Sequence, residues 1–495
     1  MTLTSSTANG FTGTEAQLSG FSEIDIVNGN GGTLTGDNVA STFTINDGSG
    51  SSYNDGTNTL TISGFGTYAG GSAGDTFNVT GTSTATLTGN GGNDVFDIDA
   101  TLNGSADGGT GTDTLQGTQI DAVTLTGSVV DGFAGTETDV TGNFADIDTI
   151  VGNGGTLTGQ DTTSTFTIND TATSSYTNGT HTLTISGFGT YAGGNQTDTF
   201  NVTGASAAIL TGNGGNDVFD IDATLNGSAD GGTGTDTLQG TQIDAVTLTG
   251  SVVDGFAGTE TDITANFADI DTIVGNGGTL TGDNVASTFT INGASSSYND
   301  GANTLSLSGF GTFAGGSQTD TFNVTGATAA NLTGNIGSDT FTIDSTLTGT
   351  VTGGAGSDTL TGTQIDAVTL TGSTVDGLSG TETQVSAGFT GINTINAASG
   401  TLTGSTGSDT FATSGPDSGT VTVGGVSAGY SGFTSLAGGS GNDTFTIGDN
   451  VTGSVLGQTG TDTITLNGGT IATAGRWCRQ RHGQLQRGHG WNLVG

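Results

Sequence analysis

Aspartate is the residue of this chain whose spacing could do chemistry. Asp75, Asp94 and Asp113 lie 19 residues apart, as do Asp198, Asp217 and Asp236, then Asp320, Asp339 and Asp358, and finally Asp443 and Asp462. Each closes a glycine-rich phrase, as in Gly108-Gly109-Thr110-Gly111-Thr112-Asp113, and a strand-like pair such as Thr114-Leu115 follows. A short period of this kind is what a β-solenoid with one turn per repeat produces. Carboxylates one turn apart would then stack about 4.8 Å from each other. Like charges that close, with no basic side chain at hand, need a metal ion. The rest of the phrase suits Ca²⁺. Glycines adopt positive φ and can turn backbone carbonyls toward an ion, while Ca²⁺ accepts six to eight oxygens in flexible geometry.

The elements that must position these aspartates follow from composition. Gly accounts for 95 of 495 residues, there is one Pro, and 10% of residues are charged. Gly and β-branched Thr are poor helix formers, and no apolar stripe of helical period is visible. Short phrases such as Thr42-Phe43-Thr44-Ile45 and Thr76-Phe77-Asn78-Val79 instead alternate polar and apolar residues, the mark of a half-buried strand. The expectation is an all-β chain, a right-handed parallel β-solenoid (β-helix or β-roll) of 17–19-residue coils forming one continuous rod. Phe77, Phe96 and Leu115 should point inward on neighbouring coils.

Charge excludes several partners. The chain holds 46 Asp and Glu against four Arg, for a net charge of −42, and all four Arg follow Gly475. Such a surface repels nucleic acid and anionic membranes, which are bound by basic patches. A single cysteine excludes an internal disulfide framework. No apolar run reaches membrane-spanning length, and Met1-Thr2-Leu3-Thr4 lacks the features of a secretory signal.

A longer period encloses the short one. Gly31-Gly32-Thr33-Leu34-Thr35-Gly36 recurs 123 residues on at Gly154 and again at Gly277, and Leu87 to Asp139 is identical to Leu210 to Asp262. The repeats run 33–155, 156–278, 279–400 and a truncated 401–475, after a partial repeat at 1–32; the chain reads as a piece of a longer array. Landmarks within a repeat are separated by 34, 19, 19 and 51 residues. Because 34 and 51 are multiples of 17, about seven coils per repeat are expected. A second phrase pairs an aromatic with a bulky residue three positions on, as in Phe65 with Tyr68, Phe144 with Ile147 and Phe433 with Leu436. These should be inward and form aromatic ladders. Residues 476–495 hold both Trp and the only Cys. Read one base later, their codons allow Gly-Gly-Ala-Gly-Asn-Asp in phase with the repeat, which identifies a frameshift tail expected to lack regular structure.

The phrase G-G-x-G-x-D-x-U-x, with U apolar, is complete at Gly108–Gln116, Gly231–Gln239, Gly353–Thr361 and Gly438–Thr446. It resembles the calcium-binding nonapeptide of the repeats-in-toxin (haemolysin-type) family, and the Thr/Gly-rich remainder is similar to the strand repeats of bacterial surface adhesins. The resemblance implies Ca²⁺ at Asp94, Asp113, Asp217, Asp236, Asp339, Asp358, Asp443 and Asp462, with weaker participation of Asp75, Asp198 and Asp320. Two departures are local. Asn90, Asn213 and Asn335 replace the second glycine, and Asn tolerates the left-handed conformation. Ala73, Gln196 and Gln318 replace the third, where a left-handed non-glycine residue costs about 1–2 kcal/mol. Asp131 lies off the turn row and is not expected to contribute.

The expected function is a calcium-rigidified, adhesin-like segment of a secreted or cell-surface bacterial protein, with calcium ions as ligands and a glycan or cell-surface receptor as a further partner. Open strand edges near Ile464 would favour end-to-end self-association. An enzyme of the β-helix polysaccharide-degrading type is not expected. Such enzymes need a unique cleft with paired carboxylates or a basic residue, whereas this chain offers near-copies and one His before Gly475, His181, expected to be an exposed substitute for Asn58. Ice binding or glycan binding by a β-solenoid are the alternatives, although the outward rows Thr76, Val95, Thr114 and Asn78, Asp97, Gln116 are mixed rather than uniformly Thr and Asn.

Overall fold

The structure, a computed structural model, describes residues 1–293 and 295–474; the proposed frameshift tail lies outside the described residues. Among them every regular element is a strand, most only three to six residues long, and none is a helix. β-Branched and aromatic residues favour this outcome because they fit a pleated, half-buried surface. Strands this short are not stable singly and must stack on their neighbours. The chain divides into two compact units, residues 1–242 with 262–270, and residues 243–261 with the chain from 271.

In the first unit the strands form two faces. On one, Thr42–Ile45, Thr76–Val79, Val95–Ile98 and Thr114–Gln116 pair in parallel with Phe43, Phe77, Phe96 and Leu115 in register. Leu115 then pairs with Ile150, and Ile150 with Ile185. From there an antiparallel meander runs back through Ser174–Thr177 to Ser164–Ile168, and parallel pairing resumes with Phe166 against Phe200. The second face stacks Leu34, Tyr68, Leu87, Ala106 and Phe144 in parallel register. It carries its own meander through Val140–Ile147, Gly132–Glu137 and Ala122–Val129 before Val123 meets Leu157. The second unit repeats the plan, with Phe289, Phe322, Phe341, Leu360, Ile395 and Tyr430 as successive parallel partners.

These registers correct the arithmetic of 17-residue coils. The 34-residue step is one parallel pairing, Phe43 against Phe77, with a hairpin (Thr42–Ile45, Ser51–Asn54, Thr59–Ser63) folded out of it. The 51-residue step likewise contains the 35-residue pairing of Leu115 with Ile150. A hairpin adds residues without adding a parallel turn, so a multiple of 17 arises by coincidence.

Side chains alternate strictly along the strands, and Phe77, Phe96 and Leu115 are fully buried as expected. The aromatic ladder runs through this row: Phe43, Phe77 and Phe96 stack at 4.9 and 5.0 Å with planes within 6°. Phe166, Phe200 and Phe219 do the same at 5.0 and 5.1 Å. The ladder expected through Phe65 and Tyr68 does not form. Tyr68 is buried but lies between Leu34 and Leu87, and Phe65 is half-buried and meets Tyr68 edge-on. His181 is also not an exposed substitute, for its ring packs edge-on against Phe133 and its Nδ1 is buried.

Removing one rung should open a cavity that the parallel stack cannot close. Phe96→Ala is expected to lower stability by about 3–5 kcal/mol, whereas Val95→Ala on the outward row should cost under about 1 kcal/mol. Denaturant midpoints of the two variants check this.

Candidate metal centre

Each turn aspartate immediately precedes a strand, and two geometric facts fix its side chain. The strand stack brings the backbone of one turn against the carboxylate of the next. The Asp75 N–H donates to Asp94 Oδ1 at 2.6 Å, and the Asp94 N–H to Asp113 Oδ1 at 2.7 Å. The same ladder joins Asp198, Asp217 and Asp236 at 2.7 Å per step. It joins Asp320, Asp339 and Asp358 at 2.8 and 2.9 Å, and Asp443 to Asp462 at 3.0 Å. A backbone N–H at the head of a strand would otherwise be an orphan donor, and a charged acceptor strengthens the bond. The second fact is the first glycine of each phrase. A Cβ on Gly89 would collide with Asp94 Oδ2 and the Gly108 carbonyl, and one on Gly108 with Asp113 Oδ2 and the Asp146 carbonyl. Glycine is required because the carboxylate occupies the space a side chain would take.

All the expected site residues except Asp462 are buried, nearly all of them completely; Asp462, on the last rung, is half-buried. Their second oxygens fall into two groups. Asp75, Asp198 and Asp320 each accept the N–H of the residue four positions earlier, Gly71, Gly194 and Gly316, at 2.7 to 2.9 Å. Their first oxygens also take serine hydroxyls, from Ser41, Ser164 and Ser287. In contrast, Oδ2 of Asp94, Asp113, Asp217, Asp339, Asp358 and Asp443 is buried with no hydrogen-bond partner. In those turns the residue four positions earlier is left-handed: φ is 70° at Asn90, 88° at Gly109, 69° at Asn213 and Asn335, and 97° at Gly439. The expected tolerance of Asn is thus realised. The expected strain at Ala73, Gln196 and Gln318 is not, because none of them has positive φ; the first turns close on the Asp carboxylate instead.

Burial with half the oxygens unpaired disfavours ionisation. It lifts Asp94, Asp217 and Asp339 to about 7, against the attenuating bond from the preceding N–H and reinforced by the carboxylates above and below. Burial likewise lifts Asp113 and Asp443 to about 6 and raises Asp358, Asp75, Asp198 and Asp320. An uncompensated buried acceptor is what a hard cation satisfies, so the turns of Asp94, Asp113 and their counterparts fit Ca²⁺ better than the already saturated Asp75 turns. Among the described residues no three acidic, His or Cys side chains converge into a ready-made cage. Backbone carbonyls and water would have to complete any coordination shell.

Spacing alone missed several rungs. The Asp113 N–H donates to Asp148 Oδ2 at 2.9 Å, across 35 residues, and the Asp358 N–H to Asn393 Oδ1 at 2.8 Å. Asp409 stands where Ser41 does, its own N–H bonded to Asp443 Oδ1 at 2.8 Å. A usable signal was the Asp-Thr dipeptide at a strand start, which recurs at Asp148-Thr149 and Asp409-Thr410. Asp131 is not remote from the turns either, since its carboxylate accepts the Gly111 N–H at 3.3 Å.

Comparison with family models and with curated protein sequences returns no match.

An acid whose folded-state pKa is raised favours the fold while protonated. That contribution is complete below the unfolded value near 3.9 and is lost as pH climbs through 6 to 7. In chelator, the melting temperature should therefore fall between pH 4 and pH 8. Asp94→Asn keeps an acceptor for the Asp75 N–H and places an amide donor toward the Gly108 carbonyl. It should flatten that fall and melt higher than the parent above pH 7, measured by circular dichroism.

Proposed function

We propose that this chain is a calcium-rigidified structural segment of a secreted or cell-surface, adhesin-like bacterial protein, folded as a right-handed parallel β-solenoid. The observation that carries the reading is the column of buried carboxylates, each with one oxygen already committed to the neighbouring turn and the other unpaired. On this reading Asp94, Asp113, Asp217, Asp236, Asp339, Asp358, Asp443 and Asp462 hold Ca²⁺, and Asp75, Asp198 and Asp320 close the column with serine and glycine. The ion supplies the positive charge that the chain lacks before Gly475. Successive parallel partners 34, 19, 19 and 35 residues apart support circuits of unequal length, the longer ones carrying hairpins.

The same arrangement explains why a structural role fits better than catalysis. Each rung copies the one before it, and every oxygen the ladder offers is buried between turns rather than gathered in a cleft. The resemblance of the turn phrase to repeats-in-toxin proteins supports calcium and export together. Hairpin tips and outward Thr rows are the surfaces left to meet a glycan or receptor.

Calcium should raise the melting temperature cooperatively, and chelation should weaken the β signal. Asp94→Asn with Asp113→Asn should lower the number of ions bound per chain. Chelation that leaves both melting temperature and β signal unaltered at pH 7.5 would sink the proposal.

A further inference from the structure

The ladder of the first repeat ends in a group of acids that its own backbone does not need. Asp113 passes its N–H to Asp148; Gly111 donates to Asp131, and the Asp131 N–H donates to Asp146 Oδ1 at 3.4 Å. The Asp146 and Asp107 carboxyls lie within hydrogen-bonding reach of each other. Asp146 adopts left-handed φ of 51°, which brings its carbonyl over Gly108 beside Asp113 Oδ2. That oxygen is fully buried and has no partner. Five aspartates thus surround one orphaned buried acceptor and one backbone carbonyl. The nearest ionisable base is the imidazole of His181, which favours the charged form of Asp148.

The third repeat supplies the comparison. There Thr352, Gly391 and Asn393 stand in place of Asp107, Asp146 and Asp148, while Asp358 and Asp376 are retained. The backbone is built the same way: Gly391 has φ of 72°, and its carbonyl sits over Gly353 beside Asp358 Oδ2. Asn393 replaces charge with amide bonds, accepting the Asp358 N–H and donating to the Asp376 carbonyl at 2.9 Å. The turn therefore folds without the three acids. Holding five like charges together where three are dispensable is unfavourable unless a cation joins them.

We propose that Asp107, Asp113, Asp131, Asp146 and the Asp146 carbonyl form a separate calcium site at the end of the first ladder, which the third repeat has lost. Asp148 positions Asp113 through the backbone bond and adds charge. The site rests on the calcium reading of the turns but uses residues outside the 19-residue spacing. Ca²⁺ suits it because it accepts carboxylates, carbonyls and water together in irregular geometry. The second repeat keeps the same acids in sequence, as Asp230, Asp236, Asp254, Asp269 and Asp271.

The test counts calcium bound per full-length chain by equilibrium dialysis with elemental analysis, folding being checked by circular dichroism. D131N/D146N should lose one ion relative to the parent. The converse variant, T352D/G391D/N393D, should gain one, and it keeps the proposal testable should the loss variant fold poorly. Unaltered counts in both variants would overturn the site, and the turn ladder would stand if D94N/D113N still lowers the count. No calcium uptake by the parent chain would overturn both.

Discussion

Everything in this molecule depends on the hydrogen bond from one aspartate's backbone N–H to the carboxylate of the aspartate on the next turn. Parallel stacking of very short strands leaves an amide at the head of each strand with no carbonyl opposite it. A short side chain with an anionic acceptor fills that gap, and Asp94 and Asp113 do so at 2.6 and 2.7 Å. The solution commits one oxygen and strands the other. With burial complete, the stranded oxygen makes each rung a site that must bind a proton or a cation.

Other features follow from this constraint. The first glycine of each phrase is fixed by the carboxylate lying against its Cα, and the left-handed second position opens the turn so that Oδ2 of Asp94 or Asp113 stays unpaired. Saturated turns such as that of Asp75, with Gly71 and Ser41, terminate the column without a cation. Behind the ladder, Phe43, Phe77 and Phe96 stack at 4.9 and 5.0 Å, so the spacing of the aromatic rings and that of the carboxylates are set by the same strand repeat.

Much of this was legible in the residues. Alternation in Thr76–Val79 and Val95–Ile98 announced inward Phe77 and Phe96, and the 19-residue spacing announced Asp75 over Asp94 over Asp113. What the sequence hid are the excursions. Nothing in the Thr- and Gly-rich stretch from Ser51 to Ser63 distinguishes an antiparallel hairpin from another parallel turn, because both use short alternating strands. Asp148 was invisible for the same reason, since the meander from Ala122 to Ile147 stretches its step to 35 residues. Saturation was equally hidden: Asp75 and Asp94 read alike, and only the backbone conformation four residues earlier separates them.

The central claim is that the ladder carboxylates exchange protons for calcium. Calcium binding to acids raised to about 6 or 7 must displace protons near that pH. The direct measurement is titration calorimetry at pH 6.5 in buffers of differing ionisation enthalpy. The account predicts net proton release on calcium uptake at pH 6.5, shrinking toward none above pH 8.5. Calcium uptake without proton release at pH 6.5 would contradict it.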